Sequence, residues 1–388
     1  MRRAALAAVG VALVARATLA GAATPPAPFD CRADDGRCPE LTVAGDPPAQ
    51  VPGYGLAPFR GFGDPSLRTD PRTGTIWLSY SYVSTEVGPG SVPGKPILDA
   101  GVSIRLARSD DGGRSFRLVR RLWTAGPERY EGREGLSGHE VSTISPAPGG
   151  WAALALAYFN PRGNGNDFAP DSFHFEMAEA AEPQRLASVG TSRLGGPFTG
   201  PDWRPFVELS RIAGIDQACP VWTEPALFQD HGILYLLAQC KTPRDPAQGF
   251  LGLFARRDDG AWRWVGRFAG SHEAQALGGN ELTQADLARG RDGRLLLIVT
   301  PNIVSSRGEQ HLGCALLEVS SLDPPSLARD ASGGPVVRAR IVSSDSAQNG
   351  PGACAYDPRS ATGVLIVRRV FSSAKGIVFS LHATGVRP

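Results

Sequence analysis

The sequence predicts an all-β fold, a five-bladed β-propeller whose last blade is closed by an amino-terminal strand. Three observations lead there. One plan of strand, tight turn and apolar strand repeats five times; the second strand of each repeat is apolar without interruption; and 47 glycines and 33 prolines supply the turns such a fold needs.

The first unit opens at Asp64-Pro65-Ser66-Leu67, turns at Thr73-Gly74 and continues through Ile76 to Tyr80. The second runs from Glu140 to Ile144, past Gly149-Gly150, into Ala153 to Tyr158. The third starts at Glu224-Pro225, turns at Asp230-His231-Gly232 and gives Ile233 to Leu237; the fourth leads from Glu281-Leu282 past Asp292-Gly293 into Leu295 to Val299. The fifth runs from Cys354 to Asp357, turns at Thr362-Gly363 and continues in Val364 to Val367. A continuously apolar strand suits a sheet buried on both faces, as between stacked blades. Third strands are expected at Val102 to Ala107, Arg185 to Thr191, Gly252 to Arg256, Ala315 to Val319 and Gly376 to Leu381, each but the last followed by a candidate fourth. The units begin 57 to 84 residues apart, the scale of a four-stranded blade. The chain ends at Pro388 with only three strands in the last unit, so Glu40 to Val43 is the natural donor of the fourth. Such a closure removes an open sheet edge. A single domain over residues 24–388 follows, because a propeller is one closed ring.

Residues 1–23 read as a secretory signal, with Met1-Arg2-Arg3, an apolar Ala4 to Val14 and small residues at Ala20-Gly21-Ala22. The apolar run is too short for a permanent membrane span. The mature protein is therefore expected to be secreted or periplasmic, without a transmembrane segment and monomeric. Six cysteines in an exported chain suit three disulfides, and sequence alone leaves 15 pairings open. Chain proximity favours Cys31 with Cys38, topology favours Cys219 with Cys240, and Cys314 with Cys354 is what remains. No Cys/His spacing for a metal is present. A net charge of +2 gives no electrostatic reason to expect nucleic acid or membrane as a partner.

In a propeller the inner strands start at one rim of the central channel. Asp64, Glu140, Glu224 and Glu281 would converge there, and carboxylates gathered in a partly dry pocket have the pKa of at least one raised. An acid form beside a base form is what glycosidic cleavage requires. His139, next to Glu140, is placed to orient it, and Trp222, close to Glu224, to stack on a sugar ring. Two insertions, Val87 to Leu98 and Asn160 to Pro183, are expected on the same rim, the second bringing Phe168, Phe173, His174 and Phe175.

Two resemblances follow from these residues. Ser109-Asp110-Asp111-Gly112-Gly113-Arg114-Ser115-Phe116 resembles the Asp box repeated in sialidases and related propellers, with a degraded second copy from Arg257 to Trp264. Gly63-Asp64-Pro65 and Thr223-Glu224-Pro225 resemble the first and third acidic elements of five-bladed arabinanase- and xylosidase-type glycosidases and the related fructosidases. Ser192 to Phe198 is similar to a Ser-x-x-x-Gly-Pro-Phe turn in those enzymes. That resemblance implies Asp64 as base or nucleophile and Glu224 as general acid. Glu140 stands where the second element has Asp. The sialidase resemblance would instead use Arg60 toward a substrate carboxylate. The expected function is a glycoside hydrolase-like propeller acting on a carbohydrate or glycoconjugate through carboxylates at the channel mouth. The alternatives are a non-catalytic glycan- or protein-binding propeller and a sialidase-like exo-glycosidase. No cofactor is required, and a structural calcium is the one ion the acidic ring could take.

Overall fold

A computed structural model describes residues 26–388, apart from 33–35, 52–54, 89–97, 163–168, 188–189, 198–206, 215–218, 243–244, 258–259, 346–349 and 372–375. The expected signal segment therefore lies outside the described residues, as do Phe168 and the Asp258-Asp259 pair of the second box-like turn.

The chain is all-β, built from antiparallel meanders in the order of the repeats. The first comprises Arg60–Thr69, Ile76–Val87, Leu98–Ser109 and Phe116–Trp123. The second comprises Arg133–Ala147, Gly150–Pro161, His174–Ala180 and Ser192–Gly195. Val221–Asp230, Ile233–Lys241, Phe250–Arg256 and Trp262–Gly270 form the third. Glu281–Arg289, Leu295–Ser305, Cys314–Leu322 and Val337–Val342 form the fourth. The last has Gly352–Ala355, Leu365–Phe371 and Ile377–Ala383.

One strand differs from expectation. The third strand of the second unit is His174–Ala180, and Pro183–Arg185 is a 3-10 turn, so the Arg185 to Thr191 assignment is wrong. The pairing of His174 to Ala180 with Trp151 to Ala157 decides the outcome. The insertion between second and third strands therefore ends before His174, and Ser192–Gly195 is the fourth strand itself.

The apolar second strands work as their composition requires. Leu154, Leu156, Leu236, Leu297, Ile298 and Ile366 are fully buried, each in an apolar layer between adjacent units. Separate layers lie between units one and two, two and three, three and four, and four and five, and a further layer joins five to one. The first strands contact one another in the same cyclic order, Gly352–Ala355 returning to Arg60–Thr69.

The segment around Glu40 pairs with the last strand of the last unit. Glu40 bridges antiparallel to His382, Leu41 N–H donates to Leu381 O (2.7 Å) and Ala383 N–H to Pro39 O (3.0 Å). Val43–Ala44 then pairs in parallel with Phe116–Arg117 of the first unit. The segment so joins the last meander to the first.

Three disulfides link Cys31 to Cys38, Cys219 to Cys240 and Cys314 to Cys354, as proximity and topology favoured. Cys314–Cys354 ties the fourth unit to the fifth. The Ser109 to Phe116 turn is held by its own side chains: Asp111 accepts from Ser109 Oγ and Ser115 Oγ at 2.7 Å and from Arg114 N and Ser115 N at 3.0 Å. It is also a contact between units, since Ala361 N–H donates to Gly112 O (2.7 Å) and a Cβ at Gly113 would sit 2.3 Å from Ser360 Oγ.

Candidate active site

Each first strand carries a bulge at an equivalent place, between Gly63 and Ser66, Glu140 and Thr143, Thr223 and Ala226, Thr283 and Asp286, and Gly352 and Ala355. At each bulge one residue adopts a positive φ: Asp64 (44°), Val141 (50°), Glu224 (50°), Gln284 (48°) and Ala353 (50°). Non-glycine residues enter this region at a cost of about 1–3 kcal/mol, and bulges re-aim side chains. Here the bulges turn the chain so that residues from different units meet around one axis. The channel narrows there to a cavity of about 20 Å3, lined by Asp64, Ser66, Val141, Thr143, Gln284 and Ala353 among others. That is room for about one water, so a ligand would stop at the mouth. Arg68 reaches across the same axis. Its Nη2 lies 2.6 Å from Asp286 Oδ1 and 2.8 Å from Leu227 O, joining units one, four and three.

Three of the four expected acids meet at the mouth. Asp64 accepts from Ser81 Oγ (2.8 Å) and from Gln284 Nε2 of the fourth unit (3.3 Å). Ser81 Oγ in turn accepts from the Val141 N–H (3.1 Å), fixing the first two bulges against each other. Glu140 stands one residue before its bulge, and Tyr158 OH approaches its Oε2 at 3.5 Å. Glu224 Oε2 is buried without a hydrogen-bond partner among the described residues. All three acids are half-buried.

Loss of water dominates their electrostatics. Desolvation raises the pKa of Asp64, with Ser81 and Arg369 pulling the other way. Desolvation and the Asp64 charge push Glu140 up to about 8. Glu224 is pushed well above the usual range by desolvation and by the charges of both Asp64 and Glu140. The cations are Arg369 of the fifth unit, which interacts with all three acids, and Lys241, whose Nζ donates to Glu309 (2.6 Å) and interacts with Glu224.

The other expected site residues lie elsewhere. Glu281 falls three residues before the fourth bulge, where it is buried and accepts from Asn302 Nδ2 (3.1 Å); Gln284 takes the equivalent position. Trp222 is buried in the layer between units two and three, its Nε1 donating to Ser210 Oγ (2.9 Å) and its ring against Phe250, Phe254 and Trp264, so it offers no sugar platform. Two residues before Glu224, it would share that residue's face in a regular strand, and the bulge between Thr223 and Ala226 separates them. His139 points the other way from Glu140 by strand alternation. It stacks on Trp123 with centroids 6.2 Å apart and lies 3.5 Å from Glu176. Arg60 donates to Ala57 O (2.8 Å) instead of joining the acids.

Tyr158, Lys241, Gln284 and Arg369 were not foreseen. Gln284 was available from aligning Gly63-Asp64, Thr223-Glu224 and Thr283-Gln284. Lys241, one of three lysines in the chain, carried a weaker signal. Among the described residues, the group of three potential ligands close enough to share a metal ion is Cys31, Cys38 and His382, and both cysteines are in a disulfide.

No family model matches the sequence, nor does any curated protein. Solved structures are similar in fold. A fructofuranosidase of Schwanniomyces occidentalis, complexed with fructose, aligns with a TM-score of 0.50 at 10% identity, over 89% of this chain and 58% of that one. A family 117 glycoside hydrolase of Zobellia galactanivorans aligns at 0.47 and 12% identity over 89% and 88% of the chains. An arabinanase of Bacillus subtilis aligns at 0.44 and 13% over 84% and 95%. At such identities the likeness is one of architecture: this all-β chain is similar in fold to β-propeller hydrolases.

Proposed function

We propose that this chain is an exported glycoside hydrolase, a five-bladed β-propeller folded as one domain over residues 24–388, that cleaves a carbohydrate or glycoconjugate with Asp64, Glu140 and Glu224. The five apolar layers and the cyclic contacts of the first strands support five blades, and Pro39 to Leu41 supports closure of the last one by the amino-terminus. Three disulfides suit an oxidising compartment, and no helix among the described residues is long and apolar enough to cross a membrane.

The observation that carries the reading is the meeting of three carboxyl groups with unequal environments. Glu224, the most strongly desolvated and repelled, holds its proton at neutral pH and is the general acid for the departing glycosidic oxygen. Its unpartnered Oε2 is free to face that oxygen. Asp64 has two hydrogen-bond donors and Arg369 to stabilise its charge, and serves as base toward water or as nucleophile at the anomeric carbon. Glu140, held near Tyr158 and coupled to Asp64, keeps the two apart in proton affinity. Arg369 and Lys241 limit the build-up of negative charge. The reaction asks for no cofactor, and a calcium that only stabilises the ring would alter folding more than rate.

The test is hydrolysis of aryl arabinosides, xylosides, fructosides, galactosides and sialosides, with and without calcium, by the native protein and by Glu224→Gln. Turnover that falls by about 10²–10⁴-fold in the variant is expected. A folded native protein inert on every member would leave a glycan- or protein-binding propeller as the better reading.

A further inference from the structure

Away from the carboxylates, a cavity of about 540 Å3 opens on the first unit, beneath the segment that follows Val43–Ala44. Tyr82, Ser84, Ser103, Arg105, Arg121 and Thr124 line it. Arg105 and Arg121 stand directly opposite each other in the third and fourth strands of this unit. Like charges in that relation repel, and an antiparallel pair has no reason of its own to keep them there.

Arg105 is fixed. It is buried, ion-paired with Asp46, and its guanidinium lies over the Tyr82 ring, 3.2 Å from the centroid. Asp46 is itself held by Tyr80 OH at 2.5 Å. Arg121 is exposed and has no acidic partner among the described residues. Glu86, the one acid on the lining, is exposed and accepts from Ser84 Oγ at 3.4 Å. Desolvation, and after it the Arg121 charge, lower Arg105 to about 9. The cavity thus offers two guanidinium groups, one buried and held by Asp46 and Tyr82, the other exposed, beside hydroxyl groups. Guanidinium forks match the paired oxygens of carboxylate and sulfate.

We propose that this cavity binds an anionic group, a carboxylate or sulfate ester carried by a saccharide, between Arg105 and Arg121. The saccharide carrier rests on the hydrolase reading; the anion site does not.

Titration calorimetry at low salt tests it, with glucuronate, galacturonate, glucose 6-sulfate, glucose and inorganic sulfate as probes, on the native protein and on Arg121→Gln. Arg121 is exposed, so the variant should fold, and circular dichroism verifies that. Binding of at least one anionic sugar, absent for glucose and weakened tenfold or more in Arg121→Gln, is the expected result. Equal binding of glucose, or anion binding unchanged in the variant, would overturn the proposal. Inorganic sulfate binding as tightly as every anionic sugar would overturn the saccharide part. The same titrations on Glu224→Gln keep the two readings separate, because anion binding there should persist whether or not the protein hydrolyses anything.

Discussion

Glu140 illustrates how one residue's surroundings set its chemistry. Its ordinary pKa is near 4.5, and burial beside Asp64 raises it to about 8 in the folded protein. A carboxyl with a raised folded pKa favours folding in its neutral form. Its stabilising contribution is fully present below about pH 4.5 and is lost as pH climbs toward 8. Thermal stability should therefore fall between pH 5 and 8, by up to about 1.4 kcal/mol per pH unit from this group. Glu140→Gln should flatten that slope, and calorimetric melts across the range would check it. Asp64 and Glu224, shifted the same way, leave a residual slope in the variant. A slope identical in both proteins would mean that Glu140 does not share the desolvated site.

The recurring element is the bulged first strand. Asp64, Glu224 and Gln284 reach the axis because their backbones turn into the left-handed region, and Ala353 marks the same turn in the fifth unit, where no polar group is delivered. Ala353→Gly should relieve that strain while losing one methyl, so its net effect on stability is expected to stay within about 0.5 kcal/mol. Ala355→Gly, two residues on and paired with Leu365, should cost about 1 kcal/mol, because there glycine brings only chain entropy and a lost contact. Urea unfolding of the two variants measures the difference. Equal destabilisation would remove the argument that the bulge stores strain. His139 left the site because strand alternation puts it on the other face from Glu140, and Trp222, two residues before Glu224, because the bulge between Thr223 and Ala226 breaks the alternation that would have kept both on one face.

At the scale of the whole molecule, the segment from Pro39 to Leu41 meets the last strand of the last unit. Leu41 is buried and its N–H donates to Leu381 O, in the pairing that joins the last unit to the amino-terminal segment. Leu41→Pro removes that donor and leaves the Leu381 carbonyl without it, which should cost about 1–3 kcal/mol. If the units form one cooperative ring, the loss lowers a single unfolding transition rather than melting the fifth unit alone; scanning calorimetry distinguishes the two. Arg68, reaching Asp286 and Leu227 O across the axis, ties the interior of the same ring.

The sequence by itself determined the repeat. Apolar second strands and glycine turns are local patterns, and they were enough for all but one of the meander strands, as chain proximity and topology were for the disulfides; the catalytic use of Asp64, Glu140 and Glu224 is a proposal. The third strand of the second unit was misplaced, because pairing with Trp151 to Ala157, which no local pattern displays, selects His174 to Ala180. Tertiary structure alone decided which side chains share the mouth. Gln284, Tyr158, Lys241 and Arg369 come from different strands and units, and only strand register and bulge position set their approach. Glu281 was lost for the same reason: it opens its repeat in sequence, yet the bulge falls three residues later, and convergence around an axis is governed by the bulge.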